Sequence, residues 1–153
     1  MVVRFYPFLL VALILLQVGC KATYVDISEN AELSHLIGKS YEVLSDLHII
    51  GGYWGNEKKL DYYVVYNINK VGSGGPGKFS SGVLASGSKF KIIKILKCTN
   101  CLLEAPIDAV IKLLGSEVDF KEGIPVKLVD QDFFVKSKGS ELIMLDKLLF
   151  KEL

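Results

Sequence analysis

The residues with the most chemistry to offer are Cys98 and Cys101, which frame a C-x-x-C, Cys98-Thr99-Asn100-Cys101. Two thiols at that spacing can close a disulfide or supply half of a zinc site. They can also form a redox dithiol, in which the first thiolate attacks and the second resolves the mixed disulfide. A structural zinc site takes four ligands. The remaining Cys and His residues are Cys20, His35 and His48, and none of them forms a ligand pair in sequence. No metal or other cofactor is therefore expected, and both histidines read as ordinary surface or half-buried residues. A structural disulfide between Cys98 and Cys101 is the reading adopted. So small a loop contributes on the order of 2 kcal/mol.

Other groups are weaker. Gly72 to Ser80 reads GSGGPGKFS and nearly spells a phosphate-binding loop. The pattern needs Ser or Thr after Lys78, where Phe79 stands, and Pro76 has no N–H to give a phosphate. A hairpin loop is the better reading. Tyr53 and Trp54 lie in the glycine-flanked stretch Gly51-Gly52-Tyr53-Trp54-Gly55. Exposed, they form a natural partner-binding surface; folded inward, they belong to the core. Asp108, Asp119, Asp130 and Asp132 could pair in space, but nothing in their spacing selects a pair. No catalytic set of Ser, His and Asp can be assembled. Lys89, Lys91 and Lys94 decorate one strand, as lysines on exposed or edge strands do for solubility.

The third cysteine closes a different pattern. In MVVRFYPFLLVALILLQVGC, Arg4 precedes an apolar run from Phe5 to Leu16, and Gly19 stands directly before Cys20. These are the parts of a secretory signal. The run is about a dozen residues, or about 18 Å as a helix, against a bilayer core of about 30 Å. It is short for a transmembrane anchor. Leu16-Gln17-Val18-Gly19-Cys20 resembles the lipobox of bacterial lipoproteins, although Gln17 stands where an aliphatic residue is usual. The resemblance implies cleavage before Cys20 and acylation of that residue, palmitate included. Lys21, rather than Asp, implies the outer membrane, facing the periplasm. Export also favours oxidation of the remaining pair, Cys98 and Cys101.

A second, local resemblance concerns the C-x-x-C. Cys98 to Ile111 (CTNCLLEAPIDAVI) is similar to the start of the active-site helix in thioredoxin-like proteins, and Gly123-Ile124-Pro125-Val126 to their cis-proline segment. It implies Cys98 as nucleophile at a helix N-terminus and Cys101 as resolving thiol. Spacing tells against it. The stretch from Cys101 to Pro125 would have to hold a helix, a strand and a crossover, and a parallel crossover alone takes a dozen residues or more. Lys97 stands where an aromatic residue is usual.

The elements that must position these groups read mainly as short strands. The chain has 153 residues, which suits one domain; half are hydrophobic and 23% charged. Eighteen basic and 17 acidic residues leave a net charge of +1, which gives no electrostatic case for nucleic acid. Residues 1–19 read as the signal peptide, 20–38 as lipid attachment and tether, and 39–153 as one β-rich domain. Asn30 to Ile37 suggests one or two helical turns, stopped by Gly38. Strands are expected over Ser40 to Ile50, ended by Gly51-Gly52, and over Leu60 to Ile68. Lys89 to Lys97 shifts phase at Ile92-Ile93, a bulge signal. Three short runs follow: Ile124 to Val129, Phe133 to Lys136 and Glu141 to Leu145. Pro106 to Leu114 fits either a strand or a helix, with β-branched Ile107, Val110 and Ile111 favouring the strand. The pattern predicts a mainly β fold, a small barrel or sandwich of SH3-like type with one short N-terminal helix.

The function expected is non-catalytic: an envelope lipoprotein, anchored in the membrane by lipid, that binds an envelope protein or a cell-wall ligand. An immunity-type inhibitor is one form of this. The alternative is a membrane-tethered thiol–disulfide oxidoreductase using Cys98 and Cys101.

Overall fold

The structure, a computed structural model, describes residues 23–53, 60–67, 78–101, 107–115, 124–129 and 131–153. The lipobox-like segment with Cys20, Trp54, Gly72 to Gly77, Asp119 and Asp130 all lie outside these ranges.

The fold is mainly β. Eleven strands are described: β1 (Tyr24–Asp26), β2 (Ser40–Val43), β3 (Leu47–Gly52), β4 (Tyr62–Asn67), β5 (Lys78–Leu84), β6 (Lys89–Cys98), β7 (Ile107–Leu114), β8 (Val126–Leu128), β9 (Phe134–Lys136), β10 (Ile143–Leu145) and β11 (Phe150–Glu152). Nine of them form one open, curled half-barrel sheet in the order β11-β2-β6-β7-β8-β4-β3-β5, with β1 also on β6. β9 and β10 pair separately. All pairs are antiparallel except β4 with β8. The sheet is larger than the SH3-like barrel expected, and its parallel pair needs the long connection through β5, β6 and β7.

β6 organises the sheet. One edge carries β7 along almost its whole length; the other carries β2 at Lys89 to Lys91 and β1 at Leu96 to Cys98. Its register slips between Ile92 and Lys94, where the sequence phase shift predicts a bulge. Ile92 and Ile95 are buried, and Ile93, the extra residue, is half exposed. β6 is thus a central strand. Lys89, Lys91 and Lys94 line its solvent side rather than protecting a sheet edge, and Lys94 reaches Asp26 at 3.3 Å.

Several expectations change in detail. The run Ser40 to Ile50 is two strands, because the chain turns a corner at 44–46. The 85–88 turn holds that corner: Val43 N–H donates to Ser88 O (2.8 Å) and Ser86 N–H to Asp46 Oδ1 (2.9 Å). Gly87 (φ +87°) takes the left-handed conformation that this turn requires. Gly51 and Gly52 belong to β3 instead of ending it. A Cβ on Gly52 would meet the Tyr62 hydroxyl at 2.6 Å, so only glycine lets that ring lie there. Residues 107–114 are the strand β7. There is no α-helix among the described residues. The helical turns expected over Asn30 to Ile37 reduce to turns and one 3-10 turn, Ser34–Leu36. Part of the expected tether, Tyr24–Asp26, pairs as β1.

One face of the sheet carries the core. Val43, Leu47, Val65, Phe90, Ile92, Ile95, Ala109 and Leu128 alternate along their strands and are fully buried. Leu33 and Leu36 from the 3-10 segment, Phe133 and Leu145 from the chain beyond β8, and Phe150 of β11 complete the same core. Four rings run through this core. Tyr41 stacks on Phe90 at 5.7 Å, Phe90 meets Phe150 edge-on at 5.6 Å, and Phe150 meets Phe133 edge-on at 5.2 Å.

Candidate functional site

A cavity of about 280 Å³ opens where the 3-10 turn, β2 and the β10–β11 connection meet. Local chemistry fixes both walls. On one side Asn30 starts the turn: its side chain accepts from Glu32 N–H (3.1 Å), and its carbonyl accepts from Leu33 and Ser34 N–H. Gly38 (φ +81°) ends it, donating its N–H to Ile92 O at 2.9 Å. On the other side Asp146 builds a tight turn. Its carboxylate accepts from Leu148 N–H and its carbonyl from Leu149 and Phe150 N–H. Ile143 N–H donates to Glu32 O and so ties the two walls together.

The floor is apolar, made by Leu36, Tyr41, Leu145 and Phe150, with Leu44 and Met144 at the side. The rim is charged. Lys39 pairs with Glu152 at 2.6 Å, both half exposed. Lys147 and Lys151 also line the cavity and make no ion pair among the described residues, but Lys151 alternates with Phe150 and Glu152 and stands opposite Glu42, so its charge belongs to the other face. Burial, with the Glu152 charge second, pushes the Tyr41 hydroxyl up to about 12, so it stays a neutral phenol throughout the physiological range. The notable group is His35. Both ring nitrogens are buried and neither has a hydrogen-bond partner among the described residues. Buried polar groups are nearly always satisfied, and an orphan costs about 1–3 kcal/mol.

A second polar cluster lies on the opposite face of the sheet. Asp108, 3% exposed, is the buried charged side chain among the described residues. Lys127 lies 3.5 Å from its Oδ2, and the same ammonium sits 4.2 Å from the centre of the Tyr24 ring. Burial pushes the Asp108 carboxyl above the usual range, while the Lys127 charge and hydrogen bond oppose that shift. Burial likewise raises the Tyr24 hydroxyl, helped by the charge of Asp108 and by Tyr62.

The expected disulfide is at the edge of this cluster. Cys98 and Cys101 are joined, with Cα atoms 5.8 Å apart. Cys98 is opposite Tyr24 in the β1–β6 register, 1% exposed, and outside the main core. The two residues inside the loop hold the chain before β1. Asn100 Oδ1 accepts from Thr23 N–H (2.6 Å), and Thr23 O accepts from both Thr99 N–H (2.9 Å) and Thr99 Oγ1 (3.2 Å). The disulfide thus staples the loop that clamps β1. No described helix N-terminus faces either sulfur, since the segment beyond 106 is a strand. The Ile124–Pro125 bond is not cis. The buried sulfur is Cys98, the nucleophile of the alternative redox reading, so an attacking thiolate would meet the half-buried Cys101 first.

The structure does not bring the sequence-selected residues into one site. Tyr53 is half buried just after β3, and Trp54 is outside the described residues. His48 lies on β3 with its ring 5.6 Å from Tyr66. Asp132 is in a 3-10 turn, apart from Asp108 on β7. Sequence reasoning missed the cavity around His35. The one signal available was His35 beside two leucines in a segment stopped by glycine, which identifies a packed turn but not what packs on it.

Comparison with protein-family models, with curated proteins and with solved structures gave no match for this chain.

Proposed function

We propose that the protein is exported and lipid-anchored through Cys20, on the periplasmic side of the outer membrane. Its β-rich domain is a non-catalytic binding module for an envelope protein or a cell-wall component, an immunity-type inhibitor being one form. The lipobox-like LQVGC supports the anchor. β1 begins at Tyr24, so at most about 14 Å of chain separates Cys20 from the sheet. The domain would then sit close to the bilayer.

The observation that carries the binding reading is the cavity beside the 3-10 turn. It combines an apolar floor, a buried His35 ring without a hydrogen-bond partner among the described residues, and Lys147, which makes no ion pair among them. Binding sites commonly join an apolar lining to a few polar groups. The thiol–disulfide alternative finds less support. Its attacking sulfur is buried, and no helix N-terminus of the kind that lowers a catalytic thiol's pKa lies beside it among the described residues.

Two measurements test the proposal. Metabolic labelling with palmitate is expected to mark the wild-type chain and not Cys20→Ser; equal labelling overturns the anchor. A photoreactive residue at Leu148, 81% exposed on the turn beside the cavity, is expected to crosslink one partner in cells. That crosslink is expected to vanish when Met144→Trp fills the cavity, and the same probe at Ile93 is expected to capture nothing. A crosslink indifferent to Met144→Trp, or none at all, overturns the cavity as the binding site.

A further inference from the structure

The geometry points to the bilayer itself as the partner of the second face of the large sheet, the face turned away from the core and the cavity. This rests on the lipid anchor at Cys20. The first observation is where the chain leaves the fold. Tyr24 opens β1, and its ring lies on this face, 4.2 Å from the Lys127 ammonium. Lys127 alternates with buried Val126 and Leu128, which fixes the side. At most about 14 Å of chain separates an acylated Cys20 from Tyr24. The membrane surface is therefore within reach of this face from its first strand onward.

The second observation is charge. Alternation sets Lys89, Lys91 and Lys94 of β6 on this face with Lys112 of β7, all exposed. Other lysines here are matched: Lys94 by Asp26 (3.3 Å), Lys127 by Asp108 (3.5 Å), while Glu42 stands opposite both Lys89 and Lys151 in register. Lys91 and Lys112 are not. They stand directly opposite each other in the β6–β7 register, and neither makes an ion pair among the described residues. The neighbour of Lys91 on β2 is Ser40. Like charges directly opposite each other weaken a sheet, so the fold gains nothing from this pair, whereas an external anion does. Exposed apolar residues flank it. Leu114, 39% exposed, stands opposite Lys89, and Ile93, 50% exposed beside buried Ile92, projects at the bulge. Cationic heads among apolar side chains suit anionic headgroups over acyl chains. A soluble polyanion would use the charge and leave Ile93 and Leu114 unused. With this face on the bilayer, the cavity looks away from it, open to the partner proposed above. A photoreactive residue at Ile93 then meets lipid and captures no protein.

The test uses the full acylated chain in nanodiscs that carry a gadolinium-chelating lipid, with amide relaxation as the readout. Discs of phosphatidylcholine alone are compared with an equal mixture of phosphatidylcholine and phosphatidylglycerol. Protein layers pack about 10 Å apart and paramagnetic relaxation falls steeply with distance, so in the mixed discs the enhancement is expected to be at least about tenfold greater at Ile93 and Leu114 than at Leu148. Phosphatidylcholine alone is expected to weaken that contrast. Each lysine at an anionic surface is worth about fivefold in population, so Lys91→Ser/Lys112→Ser is expected to lower the ratio of docked to undocked protein by about tenfold or more. Salt at about 1 M, with a Debye length of about 3 Å, is expected to do the same. Lys138→Ser/Lys147→Ser, an equal loss of charge at exposed residues of the β9–β10 and β10–β11 connections, is expected to change nothing. Equal enhancement at Leu148 and Ile93 overturns the proposal. So does a contrast indifferent to lipid charge and to Lys91→Ser/Lys112→Ser. Palmitate labelling of the same chain keeps the two readings apart. No label overturns the anchor and this orientation with it, whereas a labelled chain without the contrast overturns the orientation alone.

Discussion

Replacing His35 by leucine is expected to make the protein more stable. Most substitutions of half-buried residues do the opposite, by about 1 kcal/mol. Here the imidazole holds two buried nitrogens without partners among the described residues. Each such group forgoes its hydrogen bonds to water on folding, at about 1–3 kcal/mol. Leucine removes both and keeps a side chain of similar size in the cavity wall that His35 shares with Leu36 and Met144. Side-chain ordering and imperfect fit return part of the gain. The net expectation is about 1–3 kcal/mol, or roughly 3–10 °C in Tm for a chain of this length. Urea unfolding at pH 7.5, with calorimetry as a second probe, measures it. His48→Leu is the control: that ring, on β3, packs against Tyr66 of β4 and has no such orphaned atoms, so no stabilisation is expected there. A loss of more than about 1 kcal/mol at His35 refutes the reasoning. It would mean that the folded state satisfies those nitrogens, and the cavity would lose its main mark as a binding site. A gain in stability accompanied by loss of the Leu148 crosslink would place the stored cost at the function it serves.

Three further outcomes follow from the other face of the sheet. Cys98→Ala/Cys101→Ala is expected to cost about 2 kcal/mol and to lower amide protection in β1 more than in β3; unchanged protection of β1 would show that the staple does not hold the clamp at Thr23. In the wild type, the reduction potential of this pair is expected below about −300 mV, as for structural disulfides, and a value near that of catalytic dithiols would revive the redox alternative. Asp108 has a folded-state pKa raised by burial. The folded state therefore holds that proton more tightly than the unfolded chain, and the contribution of this group is most favourable below about pH 4 and declines as pH rises through the raised value. Relative to Asp108→Asn, wild-type stability is expected to fall as pH climbs from about 4; a difference that grows in favour of the wild type would reverse the assignment.

Local features of this fold were legible where a residue's own chemistry decides them. The doubled isoleucine in Lys89 to Lys97 has to break alternation, and it does so as the bulge at Ile92 to Lys94. The β-branched residues between Pro106 and Leu114 favour strand over helix, and β7 agrees. Two cysteines at i and i+3 just after a strand do join. Strands with weak local signals were not legible. β5 contains Ser80, Ser81 and Gly82, a poor β sequence, yet it pairs along the whole of β3. Gly82 suits that place because a Cβ there would press on Ile49 at 3.3 Å. β1 and β11 are three residues each and are defined by β6 and β2 rather than by their own composition.

Alternation, turn residues and cysteine spacing by themselves determined a mainly β chain with a disulfide at Cys98 and Cys101, because each depends on neighbours a few residues apart. The tertiary structure alone decided which groups share a site. His35 shares a cavity with Met144 and Lys147, and Asp108 meets Lys127, only when segments far apart in sequence are brought together. Whether a buried polar atom is satisfied depends on everything packed around it. The orphaned nitrogens of His35, the cavity beside them and the raised pKa of Asp108 are properties of that packing and of no local pattern.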